Sequence, residues 1–157
     1  ENAEKGFTLL PEGKHLMRCK ASAYKVVNGN DAIELQLEVV PGEPCEHQSC
    51  RDTLFFSDKA IGRVLLVCAA LGMDDKWLGS VEPENDACVR QLVGRLAIVT
   101  IEHSKPDAKG RVWANPAYAG YHVAHKGSID EMKAAREAGA EANHQAGGAP
   151  NYGEIPF

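Results

Sequence analysis

The sequence predicts a mainly β fold: five strands forming a small barrel, one helix between the third and fourth strands, then a C-terminal helix and a flexible tail. Three observations carry that expectation. Residues 33–39 alternate apolar and polar side chains without a break, residues 61–68 place apolar side chains at helical spacing, and beyond residue 127 the composition turns to Ala and Glu, then to Gly and Pro. At 157 residues, against roughly 100–200 residues for a domain, the chain reads as one globular region, 1–127, a helix, 128–142, and a tail, 143–157.

Gly13–Val27 reads as the first strand, with Met17, Cys19, Ala21 and Ala23 on an oily face and Arg18, Lys20, Ser22 and Tyr24 on a basic one. Asn28-Gly29-Asn30-Asp31 supplies residues that accept positive φ, so a tight hairpin follows. Ile33, Leu35, Leu37 and Val39 then face a core, with Glu34, Gln36 and Glu38 turned away from it. Pro41-Gly42-Glu43-Pro44 ends this strand, and Cys50–Phe56 is the third. Ser57 or Asp58 is placed to cap a helix in which Ile61, Val64, Leu65 and Cys68 form one buried stripe, closed by Gly72. Residues 74–83 read as a loop. Asn85 or Asp86 starts a short helix to Val93, Leu96–Glu102 is the fourth strand, and the basic turn Ser104–Gly110 leads to a fifth, Arg111–Val123, bent at Pro116 and Gly120. Ser128-Ile129-Asp130-Glu131 has the capping-box pattern that opens the last helix, which fades near Asn143 into the linker Ala146–Pro150.

Composition excludes several classes. With 44% hydrophobic and 25% charged residues the chain can build a core, so wholesale disorder is ruled out. The longest uncharged apolar run, Val64–Met73, is too short for a bilayer, which needs about 20 residues. No basic-then-apolar leader opens the sequence, and the expectation is a cytoplasmic protein with no membrane partner. Five cysteines, an odd set largely in apolar segments, do not read as a disulfide framework. The net charge of -5 argues against a histone-like duplex binder. That charge is uneven: residues 1–127 hold 15 Lys and Arg against 17 Asp and Glu, while residues 128–157 hold 2 against 5. A near-neutral body therefore carries an acidic tail.

Five strands with a helix between the third and fourth match the element order of the OB-fold, a partly open barrel that binds oligonucleotides or oligosaccharides. Cations gather where such a groove has its flanking loops: Lys14, Arg18, Lys20 and Lys25 in the first hairpin, and Lys105, Lys109 and Arg111 around the last turn. An unpaired strand is held by cations on its phosphates and aromatic rings under its bases, and Tyr24, Phe55, Trp113, Tyr118 and Tyr121 are the candidate rings. The expected ligand is a single-stranded nucleic acid, with the choice of DNA over RNA not set by these residues, bound without catalysis, cofactor or metal.

The last residues, Asn151-Tyr152-Gly153-Glu154-Ile155-Pro156-Phe157, resemble the tip of bacterial single-stranded-DNA-binding proteins, in which an acidic stretch ending in Ile-Pro-Phe docks on replication and repair enzymes. The resemblance implies a partner-binding role for Glu154, Ile155, Pro156 and Phe157, although that family has several aspartates where this chain has only Glu154. Residues 11–123 are similar instead to a phage- and prophage-encoded family of small OB-fold proteins. The likeness rests on Leu10-Pro11-Glu12-Gly13, Asn28-Gly29, Glu34-Leu35 and Ala69-Ala70-Leu71-Gly72. It implies a phage single-stranded-DNA-binding protein of replication or recombination, acting in the host bacterial cytoplasm and recruiting replication or recombination proteins through its tip.

Other readings compete. Cys45, His47 and Cys50 offer a partial zinc set without a fourth local ligand. Asp52, Asp58, Asp74 and Asp75 could serve a metal-dependent nuclease, yet no P-loop, Gly-x-Ser-x-Gly or His-Glu-x-x-His motif accompanies them. A β-barrel scaffold or carbohydrate-binding module would use the same aromatics for other contacts. An exposed fifth strand offers an edge to a second copy, which makes a homo-oligomer a further expectation.

Overall fold

The computed structural model describes residues 9–145, with side chains as far as residue 138. Five antiparallel strands form one sheet: β1 (Gly13–Val27), β2 (Asn30–Val39), β3 (Ser49–Phe55), β4 (Leu96–His103) and β5 (Ala114–Val123), in the spatial order β3-β2-β1-β4-β5. Three helices, α1 (Ile61–Ala70), α2 (Asp75–Ser80) and α3 (Asp86–Arg90), lie between β3 and β4, and α4 (Lys126–Gln145) follows β5. The chain divides after Ala124 into a sheet-bearing unit and a helical one. Mainly β with a five-stranded open sheet is thus the observed class. Among the described residues no helix is long and apolar enough to cross a membrane.

The hairpin β1–β2 forms because Asn28 and Gly29 take φ of 51° and 79°, the paired positive values of a two-residue turn that matches strand twist. β2 keeps strict alternation, so Ile33, Leu35, Leu37 and Val39 are sealed against Met17, Cys19, Leu54, Val64, Val67, Val99 and Ile101. Burial of each such Leu or Ile stabilises the fold by about 1.5–3 kcal/mol.

The first strand departs from simple alternation. Its pairing with β2 shifts register between Cys19 and Ala21, leaving Lys20 as the extra residue of a β-bulge. The physical cause lies across the sheet: Cys19 donates its amide to the Arg95 carbonyl at 2.8 Å and accepts from the Gly94 amide at 2.7 Å, which ties β1 to the turn entering β4. Beyond the bulge every side chain changes face. Ala21, Ala23 and Lys25 stand opposite Gln36, Glu34 and Ala32 on the outer face, while Ser22 and Tyr24 stand opposite Leu35 and Ile33. The single oily face expected for Met17, Cys19, Ala21 and Ala23 is therefore corrected: the last two leave it.

Other boundaries move for local reasons. α1 has no side-chain cap; the Ser57 carbonyl instead accepts from the Ala60 and Ile61 amides. Its buried residues are Val64, Val67, Cys68 and Ala70, and Leu65 is exposed. The expected loop at 74–83 contains α2, capped by the Asp74 carboxylate on the Trp77 amide at 2.9 Å, with Trp77 buried and its indole N–H donating to the Cys88 carbonyl. Asn85 caps α3 as its position suggests. β5 begins at Ala114 rather than Arg111, because Arg111 is held in the preceding loop by Asp107. Its bend at Gly120 has a steric basis: a Cβ there would sit 2.9 Å from the Ala117 Cβ and 3.0 Å from the Thr100 Cβ. In the helical unit the reciprocal cap lies three residues earlier than expected. His125 Nδ1 accepts from the Ser128 amide at 3.1 Å and Ser128 Oγ accepts from the His125 amide at 2.9 Å, so the helix starts at Lys126.

Candidate nucleic-acid interface

The outer face of β1, β2 and β3 is where the expected cations meet. Before the bulge Lys14 and Arg18 point outward, opposite Thr100 and Leu96 of β4. After it Lys25 does so, and Lys20 at the bulge reaches the same surface, its Nζ 3.7 Å from Glu38. Were Lys20 paired in regular alternation instead of bulged, Lys25 would share the face of Met17. The bulge thus aligns Lys14, Arg18, Lys20 and Lys25 along one side of a curved strand. β3 adds two residues by register: Arg51, which sequence reasoning missed, opposite Gln36, and Phe55 opposite Ala32 in the row that ends in Lys25.

Two carboxylates interrupt this surface. Arg18 donates to Glu38 at 2.9 Å and Lys25 to Glu34 at 3.4 Å. The Arg18 hydrogen bond holds the Glu38 carboxyl below its ordinary range, with Lys20 adding to the effect. Exposed pairs of this kind contribute only about 0–1 kcal/mol, so a phosphate can take the place of either glutamate. Lys14, Arg51, Lys105 and Lys109 meet no carboxylate at ion-pair distance among the described residues.

The second basic cluster is built by one aspartate. The Asp107 carboxylate accepts from the Lys109 amide at 2.8 Å, the Arg111 amide at 2.9 Å and Arg111 Nε at 3.1 Å. The Arg111 amide is the leading cause of its lowered pKa, with the Lys109 amide adding. The result is an ordered loop. Trp113, 48% exposed, stands beside it with the Arg111 guanidinium 5.4 Å from its ring centre. The two clusters are not the facing walls of one cleft. Register sets Gly13 opposite Ile101, next to this loop, and Val27 opposite Asn30 at the hairpin tip, so the second cluster adjoins the Lys14 end of the first, which runs along β1 toward the hairpin.

The aromatic candidates separate. Phe55 lies on the cationic face and is half-buried; Trp113 and Tyr118 are exposed. Tyr24 is turned by the bulge to the other face, and its hydroxyl donates to Asp31 at 2.7 Å, which raises its pKa. Tyr121 is corrected outright. It is 4% exposed in the core, where burial first and the Asp52 charge second push its pKa well up. Its protonated hydroxyl donates to Asp52 at 2.7 Å. Glu154, Ile155, Pro156 and Phe157 lie outside the described residues.

The competing sites are not assembled. Among the described residues no three His, Cys, Asp or Glu side chains are grouped to hold a metal ion. Asp52 is engaged by Arg63 and Tyr121, and Asp74 caps α2. An apolar depression of about 630 Å³, lined chiefly by Leu65, Leu66, Ala69, Leu78 and Val123, has no lysine or arginine in its wall and does not suit a polyanion. No protein-family model matches the chain, and no curated protein matches it.

Proposed function

We propose that the protein binds single-stranded DNA without strong sequence preference, as a non-enzymatic OB-fold module of the phage type, and that its Ile-Pro-Phe end recruits replication or recombination proteins. The observation that carries this reading is the bulge at Lys20, which sets Lys14, Arg18, Lys20 and Lys25 on one outer face with Arg51 and Phe55 across the sheet. Such a surface offers what an unpaired strand requires: spaced cations for consecutive phosphates and a flat ring for a base. The order of three strands, a helical segment and two strands supports the OB-fold, and the β3–β5 edges are drawn together by Asp52, Arg63 and Tyr121.

The test is a titration of fluorescent oligo-dT, duplex DNA and a neutral oligosaccharide at two salt concentrations. Expected are tight binding of oligo-dT alone and a log–log salt slope of about -3 if four phosphates are neutralised at roughly 0.7 each. Equal binding of the sugar, a flat salt response, or metal-dependent cleavage of the oligonucleotide would overturn the reading.

A further inference from the structure

Arg63 belongs to no expected site, yet each of its guanidinium nitrogens is committed. Nη1 and Nη2 form a two-pronged pair with Asp52 at 3.0 and 2.7 Å, and Nε donates to the Tyr118 carbonyl at 2.8 Å. Its charged carbon also lies 5.3 Å from the centre of the Tyr118 ring. The pair with Asp52 is enough to fasten α1 to β3. The bond to Tyr118 does something else: it fixes the backbone and ring of a side chain that is 66% exposed, the most exposed large apolar residue among those described. Burial works against the Arg63 charge, but Asp52 outweighs it and raises the pKa, so the cation is permanent.

We infer that Tyr118 is a base-stacking platform and that Arg63 is its positioning residue, holding the ring ready before ligand arrives. This rests on the proposed single-strand reading and adds to it a contact beyond the sheet face. Asp52 follows Arg51 on β3, so the Arg63–Tyr118 pair is anchored at the edge strand of the cationic surface. Asp52 itself faces the core side, opposite Leu35, so Tyr118 on β5 stands beyond the β3 edge, where a strand running off the cationic face past Arg51 would reach it. A ring with a guanidinium on one side and solvent on the other accepts any unpaired base, and fixing it beforehand removes part of the ordering cost of binding.

The experiment uses the full chain and two probes of equal length and charge, oligo-dT and an abasic oligonucleotide. Tyr118→Ala is expected to weaken oligo-dT binding about 5- to 100-fold, with the abasic probe and the salt slope unchanged. Tyr118→Phe should restore most of the loss. Arg63→Lys, which keeps a cation beside Asp52 but has no Nε donor for the Tyr118 carbonyl, should lose part of the preference for oligo-dT over the abasic probe while its melting temperature reports an intact fold. If the parent protein binds oligo-dT but Tyr118→Ala keeps full preference for it, this inference falls and the cationic face stands. A folded Arg63→Lys with unaltered preference removes the positioning role. If neither probe binds the parent protein, the single-strand reading itself has failed. Tyr118 is at the surface, so its variants keep the inference testable even if those at Arg63 do not fold.

Discussion

The two halves of β1 obey opposite rules. From Gly13 to Cys19 the even-numbered residues Lys14, Leu16 and Arg18 share the outer face, with Leu16 buried opposite Ile98 between the two cations; from Ala21 to Val27 the odd-numbered ones share it. The difference is one inserted residue, Lys20, fixed by the bonds of Cys19 to Gly94 and Arg95. It shows that the cations of a sheet face can be aligned by backbone hydrogen bonds to a distant turn rather than by the alternation of the strand itself. Bulging at Lys20, in place of regular pairing through it, brings Lys25 to the cationic track and takes Tyr24 away from it.

Deleting Lys20 is the most severe test of this difference. It removes the extra residue but keeps the faces: Ala21 follows Cys19 in ordinary alternation, Ser22 and Tyr24 stay opposite Leu35 and Ile33, and Lys25 stays outward. What is lost is the local twist of the bulge and one cation, so the expected outcome is about 1–3 kcal/mol less stability in chemical denaturation and a salt slope smaller by about 0.7. A deletion variant that folds but no longer binds oligo-dT would mean that the bulge itself, and not the shared face of the remaining cations, carries binding.

The core face should answer to pH. Burial is the main cause that pushes the Cys19 thiol up to about 11 and Cys50 and Cys68 up to about 12. In the unfolded chain these thiols ionise near their ordinary 9.0, so the unfolded state gives up protons first. Their contribution is complete below pH 9 and is lost as pH rises toward 11–12, at about 1 kcal/mol per thiol per pH unit. Denaturation series at pH 8 and pH 10.5 should show this decline, and replacing Cys50 and Cys68 with Ala should flatten it. An alkaline response unchanged by those replacements would place its origin elsewhere.

Much of this division was legible in the sequence, and the remainder was hidden for physical reasons. The hairpin, β2 and β4 follow from local pattern, because Asn28-Gly29 and unbroken alternation need no distant partner. The second half of β1 was misread because the bonds that shift its register come from Gly94 and Arg95, far along the chain. Tyr118 and Tyr121 look equivalent in sequence, yet the ring of one is at the surface and that of the other is in the core beside Asp52. Arg63 gave no local signal, since its two partners are on β3 and β5. Asp74 followed by Asp75 is the one missed start that a search for N-caps could have found.

On the outer face, Arg18→Ser with Lys25→Ser should weaken oligo-dT binding about tenfold and reduce the salt slope by about 1.4, at roughly 0.7 per phosphate contact. Glu38→Gln should instead strengthen binding a few-fold, because it frees Arg18 and Lys20. Opposite signs for these two variants are the expected outcome in anisotropy titrations; a shared sign would deny that Glu38 competes with phosphate. The smallest effect belongs to Tyr24→Phe. Loss of its exposed bond to Asp31 should barely move the denaturation midpoint and leave DNA affinity unchanged. A clear loss of affinity would return Tyr24 to the site.

Lysine acetylation read by mass spectrometry, with and without saturating oligo-dT, tests the aligned face most directly. Lys14, Lys20 and Lys25 should be protected together by the oligonucleotide, while Lys59 and Lys76, exposed and off that face, react as before. Protection spread evenly over all five lysines, or confined to Lys59 and Lys76, would contradict the account.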